Sequence, residues 1–155
     1  MNYLRMKGKP ENIFIRGAIP TAKISESVQK HAAKKEIGAH AIFLGQVRAD
    51  ELKEGIVTAI EYTAYEEMAI EKAHEIREAV FAKYPVTCMH IYHSMGQVKA
   101  GEICFFVFTS APHRREAIDA CNEIVERIKA ELPVWGRELL GNDQHVWKKN
   151  ACMNR

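Results

Sequence analysis

The sequence predicts an α+β fold: a mostly antiparallel sheet with three main helices and a C-terminal hairpin. Three observations predict it. Apolar runs of strand length come in neighbouring pairs with short polar connections, as hairpins do. Two longer segments, 66–84 and 113–132, carry apolar residues at helical spacing and each stops at a proline. The resulting order places hairpins between helices instead of the strict strand–helix alternation of a doubly wound parallel sheet.

At 155 residues, with 47% hydrophobic and 27% charged side chains, the chain has the balance of one ordinary globular domain. Disordered, collagen-like and disulfide-scaffold classes are excluded. Lys and Arg number 22 against 20 Asp and Glu, a net charge of +2. That is too small to make a bulk polyanion the partner, so any basic site is local and no nucleic-acid partner is expected. No apolar run approaches the roughly 18 residues of a membrane span, so no membrane partner is expected. The N-terminus lacks the apolar core of a secretion signal, and a cytoplasmic location is expected.

The elements follow in order. Residues 1–12, with Gly8 and Pro10, read as a flexible arm ahead of a single domain over 13–155. Ile13–Arg16 is a short strand. Ser25 is placed to cap a helix that shows Val28, Ala32 and Ala33 on one face and ends at Gly38. Ala39–Val47 reads as a buried strand and the following RADELKEG as a charged loop. Ile56–Ala64 alternates, with Val57 and Ala59 opposite Ile56, Ile60 and Tyr62. The helix over 66–84 buries Ala69, Ala73, Ile76 and Val80. Val86–Ser94 and Glu102–Thr109 are strands joined around QVKAG. The helix over 113–132 carries the stripe Ala117, Cys121, Ile124, Ile128 and Leu132. Beyond Pro133, a Gly-Asn-Asp turn separates two short strands.

Several residues have the chemistry of a site. Ser110-Ala-Pro-His-Arg114 stands where an apolar strand enters a long helix, and helix-start N–H groups attract anions. His113 and Arg114 would complete an anion cradle; the ordinary alternative is a helix start with solvated cations. Arg48, at a strand end, is either a surface residue or a fixed anion ligand. Lys129 flanks the apolar stripe of its helix. Such a lysine either snorkels to water or acts as a partly desolvated acid, base or nucleophile, and spacing leaves both open. From 127 on, six cations face three carboxylates, and Trp135 and Trp147 stand among them. These tryptophans are either core residues or stacking platforms. His90 and His93 lie three apart on a strand and so face opposite sides, which argues against a shared metal. Cys88, Cys104 and Cys121 read as small buried hydrophobes and Cys152 as a tail thiol; none forms a CxxC pair.

These pieces resemble, in order, the large catalytic subunit of molybdopterin synthase, the MoaE family. The segments are GAHAIFLGQVR (38–48), IEYTAYEEMA (60–69), HSMG (93–96), AGE (100–102), SAPHR (110–114), the helix ending in Lys129, and LPVW (132–135). The resemblance implies a hammerhead-type α+β fold and a homodimer within a heterotetramer. It implies a small ubiquitin-like sulfur-carrier subunit as partner, whose C-terminal Gly-Gly thiocarboxylate supplies sulfur to cyclic pyranopterin monophosphate. It implies no cofactor and no metal. Lys129 matches the family's catalytic lysine. Substrate contacts map onto Gln46, Val47, Arg48, His113, Arg114, Gly136, Arg137, Glu138 and Lys148. The sequence departs from the pattern where Gly136 stands in place of a second lysine, where the family's HR-x-G reads His93-Ser94-Met95-Gly96, and where a C-terminal arginine has only Lys148 and Lys149 as counterparts. A non-catalytic module that docks the carrier is the alternative those departures raise. The catalytic reading requires one crevice holding both Lys129 and Arg114.

Overall fold

The computed structural model describes residues 8–142 and 144–147. Among them, eight strands and three helices run in the order β1 (Phe14–Arg16), α1 (Thr21–Lys30), β2 (Ala39–Gln46), β3 (Glu51–Leu52), β4 (Gly55–Ala64), α2 (Glu66–Lys83), β5 (Cys88–Lys99), β6 (Ile103–Ala111), α3 (Arg114–Glu131), β7 (Val134–Leu140) and β8 (His145–Trp147). The α+β architecture is the one expected. The sheet order is β2-β6-β5-β4-β7-β8, with β1 added in parallel to β5 and β3 added to β4; every other pairing is antiparallel.

β5 joins two halves of this sheet. Its first part, Cys88–His93, pairs with β6, and its last part, Gly96–Lys99, pairs with β4. The strand changes neighbours at Gly96, whose φ of 80° is a left-handed conformation that glycine adopts without a Cβ penalty. The sequence reading ended this strand at Ser94. The structure carries it to Lys99, and the turn is made at Ala100–Gly101, where Gly101 has φ 90°.

The first helix also differs from expectation. It runs Thr21–Lys30, so Ser25 lies inside it and Pro20 occupies the cap position. Pro20 sits at φ −65°, its ring-imposed value, which sets the chain entering the helix. Gly38 is not the helix stop. Its amide donates to the Ala111 carbonyl at 3.0 Å, and a Cβ there would collide with the Pro112 carbonyl. The RADELKEG segment, expected as a loop, contains β3 and folds back on β4. In β4 the simple alternation fails: Val57, Ala59, Ile60 and Tyr62 are all buried, because the pairing with β7 slips between Val57 and Ala59.

α3 lies over β2 and β6, with α2 beside it. The apolar stripes expected on both helices are buried and meet Phe105, Val107 and Val98 in the main core. α1 covers the opposite face, where Ile19 packs on Phe106 and Phe108, flanked by Ile24 and Tyr92. Cys88, Cys104 and Cys121 are buried free thiols. Cys152 lies outside the described residues. No helix among the described residues is long and apolar enough to cross a membrane.

Candidate functional site

The junction of the two sheet halves gathers polar and aromatic side chains under the last turn of α3. Lys129 sits one residue beyond Ile128 of the buried stripe and is itself half-buried. Its Nζ lies 5.2 Å from the centroid of the Phe105 ring, a cation–π distance. His93 packs on the same ring at 5.5 Å and meets Tyr62 edge-on at 5.1 Å. These three aromatic residues come from three adjacent strands: Phe105 is the register partner of His93, and Tyr62 pairs with Gly96.

His93 is wholly interior. Its Nδ1 lies 2.8 Å from the Ser94 carbonyl, which only accepts, so Nδ1 carries the proton and Nε2 is left as an acceptor. Burial, chiefly, holds its pKa down at about 4, against the pull of the Ser94 carbonyl and with help from the Lys129 charge. The imidazole is therefore neutral at ordinary pH. Burial likewise pushes the Tyr62 phenol far up, reinforced by Cys104 and Glu138. The thiol of Cys104 donates to the Gly45 carbonyl at 3.4 Å.

The other expected residues divide by position. Gln46 and Arg48 lie at the end of β2 nearest Lys129, just past Gly45, the partner of Phe105. Arg48 is exposed and holds Asp50 at 3.3 Å. Val47, between them, is core: its amide donates to Glu102 and its carbonyl accepts from Gly101, so it positions Arg48 and has no free contact to offer. On β7, Arg137 donates to Glu61 at 2.6 Å, and its Nε is buried with no hydrogen-bond partner among the described residues. Glu138 is buried on the Tyr62 side of the sheet. A Cβ on Gly136 would sit 3.0 Å from Ile60 Cγ2 and 3.3 Å from Tyr62 Cε1. The space beside Gly136 is thus already filled by the Tyr62 ring. Lys148 lies outside the described residues.

His113 and Arg114 are elsewhere. They begin the helix that Lys129 ends, fifteen residues earlier, which at about 1.5 Å per residue is roughly 22 Å away. The single crevice expected between residues 114 and 129 therefore does not exist within one chain. A cavity of about 360 Å³ opens instead between segment 8–13 and α2, lined by Lys9, Ile13, His74, Arg77, Phe81 and Ile91 among others, and none of the expected residues touches it. Both tryptophans are surface residues, Trp135 44% and Trp147 57% exposed, so neither is the core residue considered above. Trp135 meets Tyr65 edge-on at 4.9 Å.

Sequence reasoning missed His93, Tyr62 and Phe105 as members of the site. The one available signal was a histidine and a tyrosine inside otherwise apolar strands.

The chain matches one family of known proteins over most of its length. The profile of that family, described as MoaE protein, matches residues 19–131. The chain belongs to the MoaE family. A relative in Pyrococcus abyssi, named molybdopterin synthase catalytic subunit, is 36% identical over 145 residues, 89% of this chain and 90% of that protein. One of the same name in Caulobacter vibrioides is 35% identical over 69% of each chain. The like-named Drosophila willistoni protein is 38% identical over 73% of this chain, which spans about a third of that longer protein (31%). Among solved structures, molybdopterin synthase from Staphylococcus aureus superposes with a TM-score of 0.78 at 27% identity, over 92% of this chain and 99% of that one. A Helicobacter pylori chain, from a complex of subunits 1 and 2 of molybdopterin-converting factor, superposes with a TM-score of 0.75; at 22% identity it speaks for the shared MoaE fold.

Proposed function

We propose that this MoaE chain is the large, catalytic subunit of a molybdopterin synthase. It takes sulfur from the C-terminal thiocarboxylate of a small ubiquitin-like carrier and places it on cyclic pyranopterin monophosphate, building the dithiolene. The observation that carries the reading is Lys129, an ammonium seated on Phe105 in a family member. When the carrier's thiocarboxylate sulfur bonds to a pterin side-chain carbon and displaces an oxygen substituent there, an acyl thioester links the carrier to the pterin. Water then attacks the acyl carbon, the C–S bond breaks, and the sulfur stays with the pterin. Negative charge builds on the acyl oxygen and then on the leaving sulfur. A fixed ammonium in a partly dry site stabilises both and can return a proton. The sulfur arrives already activated, so the reading assigns this chain no cofactor and no metal, and the transfer needs none of its own thiols.

The phosphate cradle in this reading is shared between two copies. Among the described residues β2 is an edge strand with one side unpaired, and it exposes Ile42 and Leu44. Antiparallel pairing of two such edges about a two-fold axis sets the start of one β2 beside the end of the other. Gly38, next to that start, touches the Pro112 turn. The arrangement therefore brings His113 and Arg114 of a second copy toward Gln46, Arg48 and Lys129.

The test is turnover with thiocarboxylated carrier and precursor. Lys129→Ala is expected to lower the rate by about two to four orders of magnitude while far-UV circular dichroism stays unchanged. Unaltered turnover would overturn the assignment.

A further inference from the structure

Away from Lys129, five residues further along β6, the fold brings together an amine and a thiol. Lys34 lies in the connection between α1 and β2, and its Nζ is 2.8 Å from Sγ of Cys88, the first residue of β5. Sulfur is larger than oxygen, so an N–H···S bond is ordinarily longer than the ~2.9–3.0 Å common for N–H···O. This contact is shorter than either. The residues are 54 apart in sequence, so tertiary structure alone creates the approach. The turn is held in place: the Lys34 amide donates to the His31 carbonyl at 3.1 Å, and the His31 ring packs on Phe108 at 5.1 Å. Cys88 is buried at the sheet end, while Lys34 opens to solvent and leaves a small oxidant a way in.

We propose that Lys34 and Cys88 form a redox-sensitive pair, which hydrogen peroxide converts into a covalent N–O–S bridge between Nζ and Sγ. The thiolate is the form that attacks peroxide, and the Lys34 Nζ–H already donates to that sulfur. The first peroxide gives up one oxygen to sulfur, forming a sulfenic acid; its other oxygen leaves as water. The second peroxide is reduced to two waters as the sulfenic oxygen bonds to Nζ; the O–H and one N–H are lost. The overall change is one oxygen gained and two hydrogens lost, a four-electron oxidation of sulfur and nitrogen against two peroxides. Two equivalents of a dithiol reverse it to thiol, amine and water. The bridge ties the connection after α1 to β5, so the oxidised protein should melt at a higher temperature, as cross-linked chains do.

The test treats the full-length protein with hydrogen peroxide and reads intact mass and a tryptic digest, independently of any synthase activity. The expected product has the mass of one oxygen gained and two hydrogens lost. It resists cleavage after Lys34, yields one linked peptide containing residues 34 and 88, and reverts with dithiothreitol. Lys34→Arg and Cys88→Ser each abolish the linked peptide. Because Lys34 is on the surface, Lys34→Arg serves even if the serine variant folds poorly. Wild-type protein whose Cys88 ends as sulfinic or sulfonic acid, or stays unreacted, with no linked peptide, would overturn the proposal.

Discussion

The two ends of α3 carry cations in opposite circumstances. At the first turn, His113 and Arg114 are solvated, and no side chain caps the helix N–H groups. Cations there oppose the helix dipole, so their placement costs stability and keeps the N–H groups open to an anion. At the last turn, Lys129 agrees with the dipole and rests on Phe105, beside a neutral buried histidine. In the proposed reading, one end is open to a phosphate and the other is a partly dry site for acyl chemistry. A rigid helix keeps them roughly 22 Å apart, so any reaction that uses both must recruit a second copy.

Mixing variants breaks or sharpens that contrast most strongly. Arg114→Ala should raise KM by about tenfold or more, the worth of a charge-assisted hydrogen bond, and Lys129→Ala should abolish turnover. If sites form across a dimer, a re-equilibrated equal mixture assayed well below KM regains about a quarter of wild-type activity, since half the dimers are mixed and each has one intact site. If both residues served one site of one chain, the mixture would show nothing beyond the residual activity of its two components.

Gly136→Lys probes the dry end. A lysine introduced there meets Ile60 and the Tyr62 ring, and overpacking costs about 1–3 kcal/mol. Thermal melting should show that loss, and turnover should not rise. A clear gain in turnover would show that Tyr62 yields and that the wild-type site lacks a needed cation.

The smallest expected effect is acid sensitivity. Burial first of all holds His90 and His93 at about 4, below the usual 6.5. Their contribution to stability is full above 6.5, because both folded and unfolded states are then neutral, and it is lost as pH falls toward 4, where only the unfolded chain takes up protons readily. Melting temperature should therefore drop between pH 6.5 and 4. The carboxylates of Glu123 and Glu131, held below their ordinary value of 4.5 by Lys83 and Arg127, add to the loss only as pH falls past that ordinary value. His93→Phe should flatten the decline, and a melting temperature that rises on acidification would contradict the burial argument.

Much of this was legible in the residues themselves. The stripes Ala69-Ala73-Ile76-Val80 and Ala117-Cys121-Ile124-Ile128 defined two helices, because a period of 3.6 admits one buried face. Pro85 and Pro133 ended them. The hairpin around QVKAG and the C-terminal turn placed the strands in neighbouring pairs. Lys129, Arg48 and the His113–Arg114 pair stood out by charge and by place at element ends, as the structure places them. Tertiary structure decided the remainder. A bulge in β4 overrode the alternation at Thr58, and Pro20 rather than Ser25 opened the first helix. Periodicity says which face of an element is buried but not which neighbour covers it, so the cluster of His93, Tyr62 and Phe105, the ring already occupying the space beside Gly136, and the Lys34–Cys88 contact emerged only once distant segments were packed together.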